Sequence, residues 1–403
     1  MTSDECPNPR RSWTRLDGVD VLRGLAILFV LMNHVNMRLR IARVPYATGL
    51  PDQLVSSLVW NGQRGVQIFF AISGFLITAT SIRRWGSLSR VSSRDFYLLR
   101  FARIAPLLVT LLGVLSFLDL IHLQNFVISS KTGGLGRALM AALTFHINVL
   151  EAHRGYLPGN WDILWSLSVE EMFYLFFPLV CALLGRSKLL IAVLLAFVII
   201  GPFGRTTLTH GNPVWEEYSY LGGMDAIALG CLTALLVSRV ELSRRVLWTF
   251  AGSGAALLIF TICFSNWTAS LGLRRNGLDM TIVAAGTCMI VAASAQTHWT
   301  SSPVFRPLLR LGQRSYEVYL THMFIVFACF QLFLAAGKPM EAVPALFIAV
   351  ILISGLFGEV IARFYSEPMN RFLRNRWGDG PNTLGSVVHD NHERKCGEDR
   401  VPV

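Results

Sequence analysis

Residues 19–35 read VDVLRGLAILFVLMNHV, and this stretch decides the fold. It is apolar enough to cross a bilayer, yet it carries Arg23 near its start and His34 near its end. Ionisable side chains are costly in hydrocarbon, so they usually face a bundle interior and mark a functional pathway. Eleven positions separate the two residues, roughly 16 Å along a helix at about 1.5 Å per residue. The bland alternative is that Arg23 snorkels to the interface and His34 bonds a neighbouring helix. Two such groups on one span favour a function.

The whole chain has the same character. Of its 403 residues 53% are hydrophobic and only 15% charged, and the mean hydropathy is +0.49. A soluble globular chain has about 25% charged residues. An all-α polytopic membrane protein is expected. The first sixteen residues are polar and no small-residue cleavage site follows the first apolar run, so the first span is expected to be a retained anchor. The net charge of +11 is scattered through short loops, which argues against a nucleic-acid partner. Of the seven cysteines, Cys181, Cys231, Cys263, Cys288 and Cys329 fall in apolar runs, while Cys6 and Cys396 do not. No CxxC or mixed Cys/His spacing occurs, so they read as small apolar side chains and no metal site is expected.

Spans need about 20 apolar residues. That criterion predicts ten helices, near 19–37, 65–82, 98–120, 163–184, 188–204, 219–238, 246–265, 278–295, 316–336 and 343–365. The stretch 139–150 is too short and polar to span and reads as re-entrant or interfacial. With both termini cytoplasmic, loops and tails place 23 Lys and Arg inside and 11 outside, the expected positive-inside bias. The predicted organisation is a cytoplasmic segment over 1–18, a membrane domain over 19–375 and a disordered cytoplasmic tail over 376–403. The section 122–162 is the candidate outer lid or acceptor-facing loop.

Chemistry-bearing residues recur inside these spans. Ser73-Gly74 in GVQIFFAISGFLIT permits close helix approach, and Ser73 lacks the glycine-flanked turn of a hydrolase nucleophile. Arg100 and Arg103 share a helix face at the inner surface, either as an anchor or as a phosphate clamp. Glu170 and Glu171 in WDILWSLSVEEMFYLFFPL must pair, line a wet cavity or become protonated. Depth along the spans puts Glu170, His34 and Asp225 in the outer half, and Arg23, Arg100, Arg103, Arg314 and His322 in the inner half. Glu359 and Arg363 read as an (i, i+4) ion pair. Two different entrances to one polar tunnel are expected.

Taken together, Arg23 with His34 eleven positions on, FFAISGFL at 69–76, RFARIAP at 100–106, WSLSVEEMFY at 165–174, the Asp225/Gly230 stretch, SYEVYLTH at 315–322 and YSEP at 365–368 resemble the acyltransferase-3 family of integral-membrane O-acyltransferases. The resemblance runs over about residues 15 to 375. It departs from the usual pattern at Met172, where Gln is common, and at Gly223-Met224, where an Arg often precedes the aspartate. It implies transfer of an acyl group, acetyl foremost, from cytoplasmic acyl-CoA to a hydroxyl of a saccharide or glycosylated acceptor, in the bacterial cytoplasmic membrane. No permanently bound cofactor is implied.

On that resemblance His34 is the general base, with Glu170 as a possible orienter, and Arg23, Arg100 and Arg103 hold the donor. Ser73, Trp165, Glu171, Asp225 and His322 are substrate-contacting or structural candidates. Direct transfer is favoured over a covalent acyl-enzyme. Some relatives carry an extra-cytoplasmic SGNH domain, for which a chain of this length leaves no room. A transporter of an acylated or anionic molecule is the reading from another class, and a structural subunit a third.

Overall fold

The computed structural model describes residues 16–297 and 299–377, and all their regular elements are helical. The first half contains α1 (Asp17–Ile41), α2 (Asp52–Val59), α3 (Gly62–Trp85), α4 (Ser93–Leu120), α5 (Gly134–Leu143), α6 (Ile147–Arg154), α7 (Gly159–Asp162), α8 (Leu164–Leu184) and α9 (Leu189–Gly204). The second half contains α10 (Pro213–Tyr218), α11 (Tyr220–Arg239), α12 (Arg244–Cys263), α13 (Ser265–Ser270), α14 (Leu278–Thr297), α15 (Arg306–Gln313), α16 (Ser315–Ala335), α17 (Val343–Ile361) and α18 (Glu367–Arg376). Hydrocarbon offers backbone groups no partner, so helices that satisfy themselves internally are what can cross it. Serine caps supply the first turns: Ser92 accepts from the Asp95 N–H of α4, and Ser219 from the Gly222 N–H of α11.

Among the described residues, nine segments are long and apolar enough to cross, those built on α1, α3, α4, α8, α11, α12, α14, α16 and α17. The expected span at 188–204 is α9, a helix of only 16 residues, about 24 Å against a hydrocarbon core of about 30 Å. The stretch 139–150 breaks at Thr144–His146 into the ends of α5 and the start of α6, neither of spanning length. A further helix, α18, follows the last span where none was predicted. The segments 1–15 and 378–403, which hold most of the predicted tails, lie outside the described residues.

Small residues set the closest contacts, as they do where lipid removes the hydrophobic drive between helices. A Cβ at Gly74 of α3 would overlap the Ile227 carbonyl of α11, and one at Gly230 the Ala71 carbonyl in return. The same reciprocity joins α1 to α15, where Gly24 meets the Leu308 carbonyl and Gly312 the Asp20 carbonyl. Leu183, Leu332, Leu352 and Leu356 stay exposed, as lipid-facing side chains should. The described cysteines are all free: Cys181, Cys231 and Cys288 are buried, Cys329 half-buried and Cys263 exposed.

The α1–α15 contact corrects the predicted depths. Because α15 packs at the level of Asp20 to Gly24, α16 begins well inside the molecule rather than at its inner face. His322 is thereby carried up to His34, with His322 Nε2 3.2 Å from His34 Nδ1. Likewise α8 starts deep, since the Tyr319 hydroxyl in the second turn of α16 donates to the Ile163 carbonyl at 3.0 Å. Glu170 then meets Arg100 instead of standing above it: Arg100 Nη2 lies 3.8 Å from Glu170 Oε1. The predicted division of these four residues between outer and inner halves does not hold. Glu359 also differs from expectation, pairing with Arg314 at 2.6 Å; Arg314 binds Glu367 as well, while the Arg363 guanidinium lies near the Phe364 ring.

Candidate active site

Two contiguous cavities lead into the helix bundle. The first, about 390 Å³, lies between α1, α3, α16 and α18, with Arg23, Arg83, Arg103 and Arg314 on its wall beside Asp20, Glu317 and Glu367. The second, about 410 Å³, lies deeper and is lined by Ser73, Arg100, Glu170, Glu171, Tyr174 and Tyr319, among others. Arg23, Leu76, Thr80, Arg103 and Tyr316 border both, so the two form one passage.

Arg23 sits 3.7 Å from Asp20, one turn earlier on α1. Arg103 has no hydrogen bond or ion pair among the described residues, although it faces both cavities. Arg100, one turn before it, is engaged differently. Its guanidinium carbon stands 3.4 Å from the Tyr174 ring centroid, and its Nη2 reaches Glu170 and Glu171 at 3.8 and 3.9 Å. Two carboxylates and an aromatic face thus occupy Arg100, which weakens its expected role as a phosphate ligand. Glu170 Oε1 also accepts from the Ser73 and Tyr174 hydroxyls, which contact each other. Tyr174 follows Glu170 by four residues on the same face of α8, a legible spacing that sequence reasoning did not use.

The chamber ends at Tyr319 and Phe69, whose rings meet edge-on at 6.2 Å. The Tyr319 hydroxyl is fixed by the Ile163 carbonyl and by Ser166 Oγ at 2.5 Å. Beyond Tyr319, at 5.9 Å between ring centroids, lies His322, and beyond that His34. His322 is fully buried, whereas His34 is half-buried. His34 Nδ1 lies 2.9 Å from the Val30 carbonyl, and His322 Nδ1 lies 2.7 Å from the Tyr319 carbonyl. Glu170 is therefore not the orienter of His34; the residues against the imidazole are Val30 and His322.

Besides the two histidines behind the end wall, Asp225 and Trp165 also fall outside the passage. Asp225, wholly buried, is held by Arg205 through both carboxylate oxygens at 2.9 and 2.7 Å, and by Gln67 and Thr281 at 2.9 and 2.6 Å. Arg205 follows the end of α9 and supplies the cation absent at Gly223-Met224. Trp165 stacks on Tyr218 with centroids 4.2 Å apart and nearly parallel rings. Both residues build the frame. The passage itself is an arginine-lined mouth and a carboxylate–hydroxyl chamber, with a histidine pair behind its Tyr319–Phe69 wall, a set suited to moving a proton beside an anionic substrate.

A family model described as an acyltransferase domain matches residues 16–361. The chain belongs to the acyltransferase-3 family. Among curated relatives, it is similar to the O-acetyltransferase OatA of Staphylococcus aureus (strain NCTC 8325 / PS 47), at 23% identity over 88% of this chain and 57% of the relative. It also resembles the peptidoglycan O-acetyltransferase OatA of Listeria monocytogenes, at 25% identity over 79% of this chain and 50% of the relative. A putative O-acetyltransferase of Staphylococcus aureus (strain COL), SACOL0978, matches at 22% identity over 88% and 57% of the two chains. The chain thus spans little more than half the length of these relatives. No solved structure matches it. Within this acyltransferase domain fall all the candidates named above, from Arg23 to His322.

Proposed function

We propose that the chain is a membrane O-acyltransferase that moves an acyl group, acetyl foremost, from acyl-CoA to a hydroxyl of a saccharide or glycosylated acceptor at the bacterial cytoplasmic membrane. The observation that carries this reading is the single passage from an arginine-lined mouth, past Ser73 and Glu170, to a wall backed by two histidines. The acetyltransferase names of the relatives support the acyl group. Counting α9 as a short tenth crossing puts both termini on the cytoplasmic side by the positive-inside bias, and on that topology the mouth opens to the cytoplasm, where acyl-CoA is found.

In this reading Arg103 and Arg23 hold the anionic end of the donor, since guanidinium groups suit phosphate. Arg100 acts deeper, holding the Glu170 and Glu171 side chains in place beside the thioester. His34 takes the acceptor hydroxyl proton as its oxygen attacks the thioester carbonyl. The C–S bond then breaks, and the imidazolium returns that proton to the leaving thiolate. Phe69 stands with the tethered Tyr319 between the chamber and His34, so this scheme requires the Phe69 ring to move aside when the acyl group is transferred. A hydroxyl-bearing acceptor needs only this base and a dry site, and neither metal nor resident cofactor enters the scheme.

Membranes supplied with labelled acetyl-CoA test the donor assignment. Arg103→Met should raise the KM for acetyl-CoA roughly 10- to 100-fold, the worth of one or two charge-assisted hydrogen bonds, with kcat little changed. An unchanged KM would move the donor site elsewhere.

A further inference from the structure

We infer that His322 is a positioning residue that fixes which ring nitrogen of His34 serves as the base. The inference rests on the reading of His34 as proton acceptor and extends it to a named atom, Nε2.

His322 Nδ1 faces two backbone carbonyls, Tyr319 O at 2.7 Å and Val318 O at 3.2 Å. A carbonyl only accepts, so Nδ1 of His322 carries a hydrogen. In a neutral imidazole one nitrogen donates and the other accepts, which leaves His322 Nε2 with its lone pair. That lone pair points at His34 Nδ1, 3.2 Å away. His34 Nδ1 also lies 2.9 Å from the Val30 carbonyl, again an acceptor. Both neighbours therefore require the hydrogen of His34 to sit on Nδ1. A doubly protonated His322 does not fit, because it would set one N–H against another across that 3.2 Å gap.

The consequence is that the Nε2 of His34 is the bare nitrogen, and it has no hydrogen-bond partner among the described residues. Burial matches the division of labour. His322 is shut away from substrate, while His34 keeps some exposure. When Nε2 takes the hydroxyl proton, the new positive charge is shared with Nδ1–H, whose bond to the His322 lone pair strengthens; no proton passes to His322. The tilt of 52° between the rings, with centroids 4.9 Å apart, marks an edge-directed hydrogen bond and not a stack. The role parallels that of the group which orients the base in hydrolase triads, here played by a second imidazole.

The test combines a spectroscopic signature with kinetics. Histidine 15N NMR of the full chain in nanodiscs, with His34 assigned by its loss in His34→Asn, reports the tautomer directly. The wild type should show His34 protonated on Nδ1 alone, and His322→Leu, which leaves only the Val30 carbonyl to accept from Nδ1, should bring up the Nε2–H tautomer as a measurable minority. Transfer from labelled acetyl-CoA to the native acceptor in membranes should then fall on the order of 10²-fold in kcat, with the KM for acetyl-CoA unchanged within about twofold. His322→Gln, whose side-chain oxygen reaches the place of Nε2, should recover part of that loss. A wild-type His34 protonated on Nε2 would overturn the inference, and this measurement needs no variant at position 322. So would a His322→Leu protein with wild-type kcat. If instead His34→Ala transferred acyl groups normally, the base assignment itself would fail while the tautomer result stood.

Discussion

Asp225 and Glu170 both bring a carboxylate into the membrane, and their partners put it to opposite uses. Asp225 is saturated: Arg205, Gln67, Thr281 and its neighbour's N–H take up its oxygens in a fully buried site. Glu170 keeps over a quarter of its side chain exposed and shares its charge with hydroxyls and a stacked guanidinium at a cavity wall. Removing one member of a buried ion pair costs about 3–5 kcal/mol, because the other is left uncompensated. Asp225→Ala should therefore lower the thermal stability of the detergent-solubilised protein by that order, and Arg205→Met with Asp225→Leu together should cost less than the sum of the singles. Additive losses would show that the two do not form a pair. The presence of Asp225 in a span was readable from the sequence, but its partner was not. Arg205 lies 20 residues earlier and counts as a loop charge until α9 folds back along α11. The His34–His322 contact was hidden for a similar reason: 288 residues separate them, and nothing in either span's spacing points to the other.

Elements fail to sit where their first residue suggests when a shorter helix precedes them inside the molecule. The amphipathic α15 docks on α1 through Gly24 and Gly312, and this lifts α16 by several residues. The α6–α7 section does the same for α8. Hydropathy finds the apolar run but not the depth at which it starts, so nine of the ten expected spans were legible among the described residues while the layering of their ionisable residues was not. A side chain at Gly312 would meet the Asp20 carbonyl, with no flexible atom to give way. Gly312→Val should thus cost about 1–3 kcal/mol of stability as an overpacked contact and also raise the KM for acyl-CoA, because it displaces α15 and with it Arg314 and the start of α16. Loss of stability with wild-type donor affinity would separate this helix pair from the inner mouth. The Gly74 and Gly230 contact of α3 with α11 adjoins Ser73, Phe75 and Leu76 on the cavity walls, so a side chain there should likewise affect both stability and donor affinity.

Across the whole molecule, the charge bias, the apolar helices and the passage define one axis. Counted on ten crossings, Lys and Arg divide 23 against 11 between the two sides, and the proposed reading puts the arginine-lined mouth on the richer side. The half-buried His34 stands beyond the chamber's end wall, toward the outer section 122–162. On the proposed reading, donor and acceptor approach the same imidazole from different directions, as a transfer across a membrane requires. Membership of the acyltransferase-3 family was readable from the ordered set of short motifs, although relatives are under 26% identical.

The most direct test of this account is mass spectrometry of cell-surface glycans and secreted glycosides. The samples are cells lacking the protein, cells expressing it, and cells expressing His34→Ala at matched membrane levels. The account predicts an acyl mass increment, 42 Da heavier on the order of one acetyl group, with the wild type alone. An increment that persists in His34→Ala, or none in any fraction while labelled solute crosses the membrane, would contradict it.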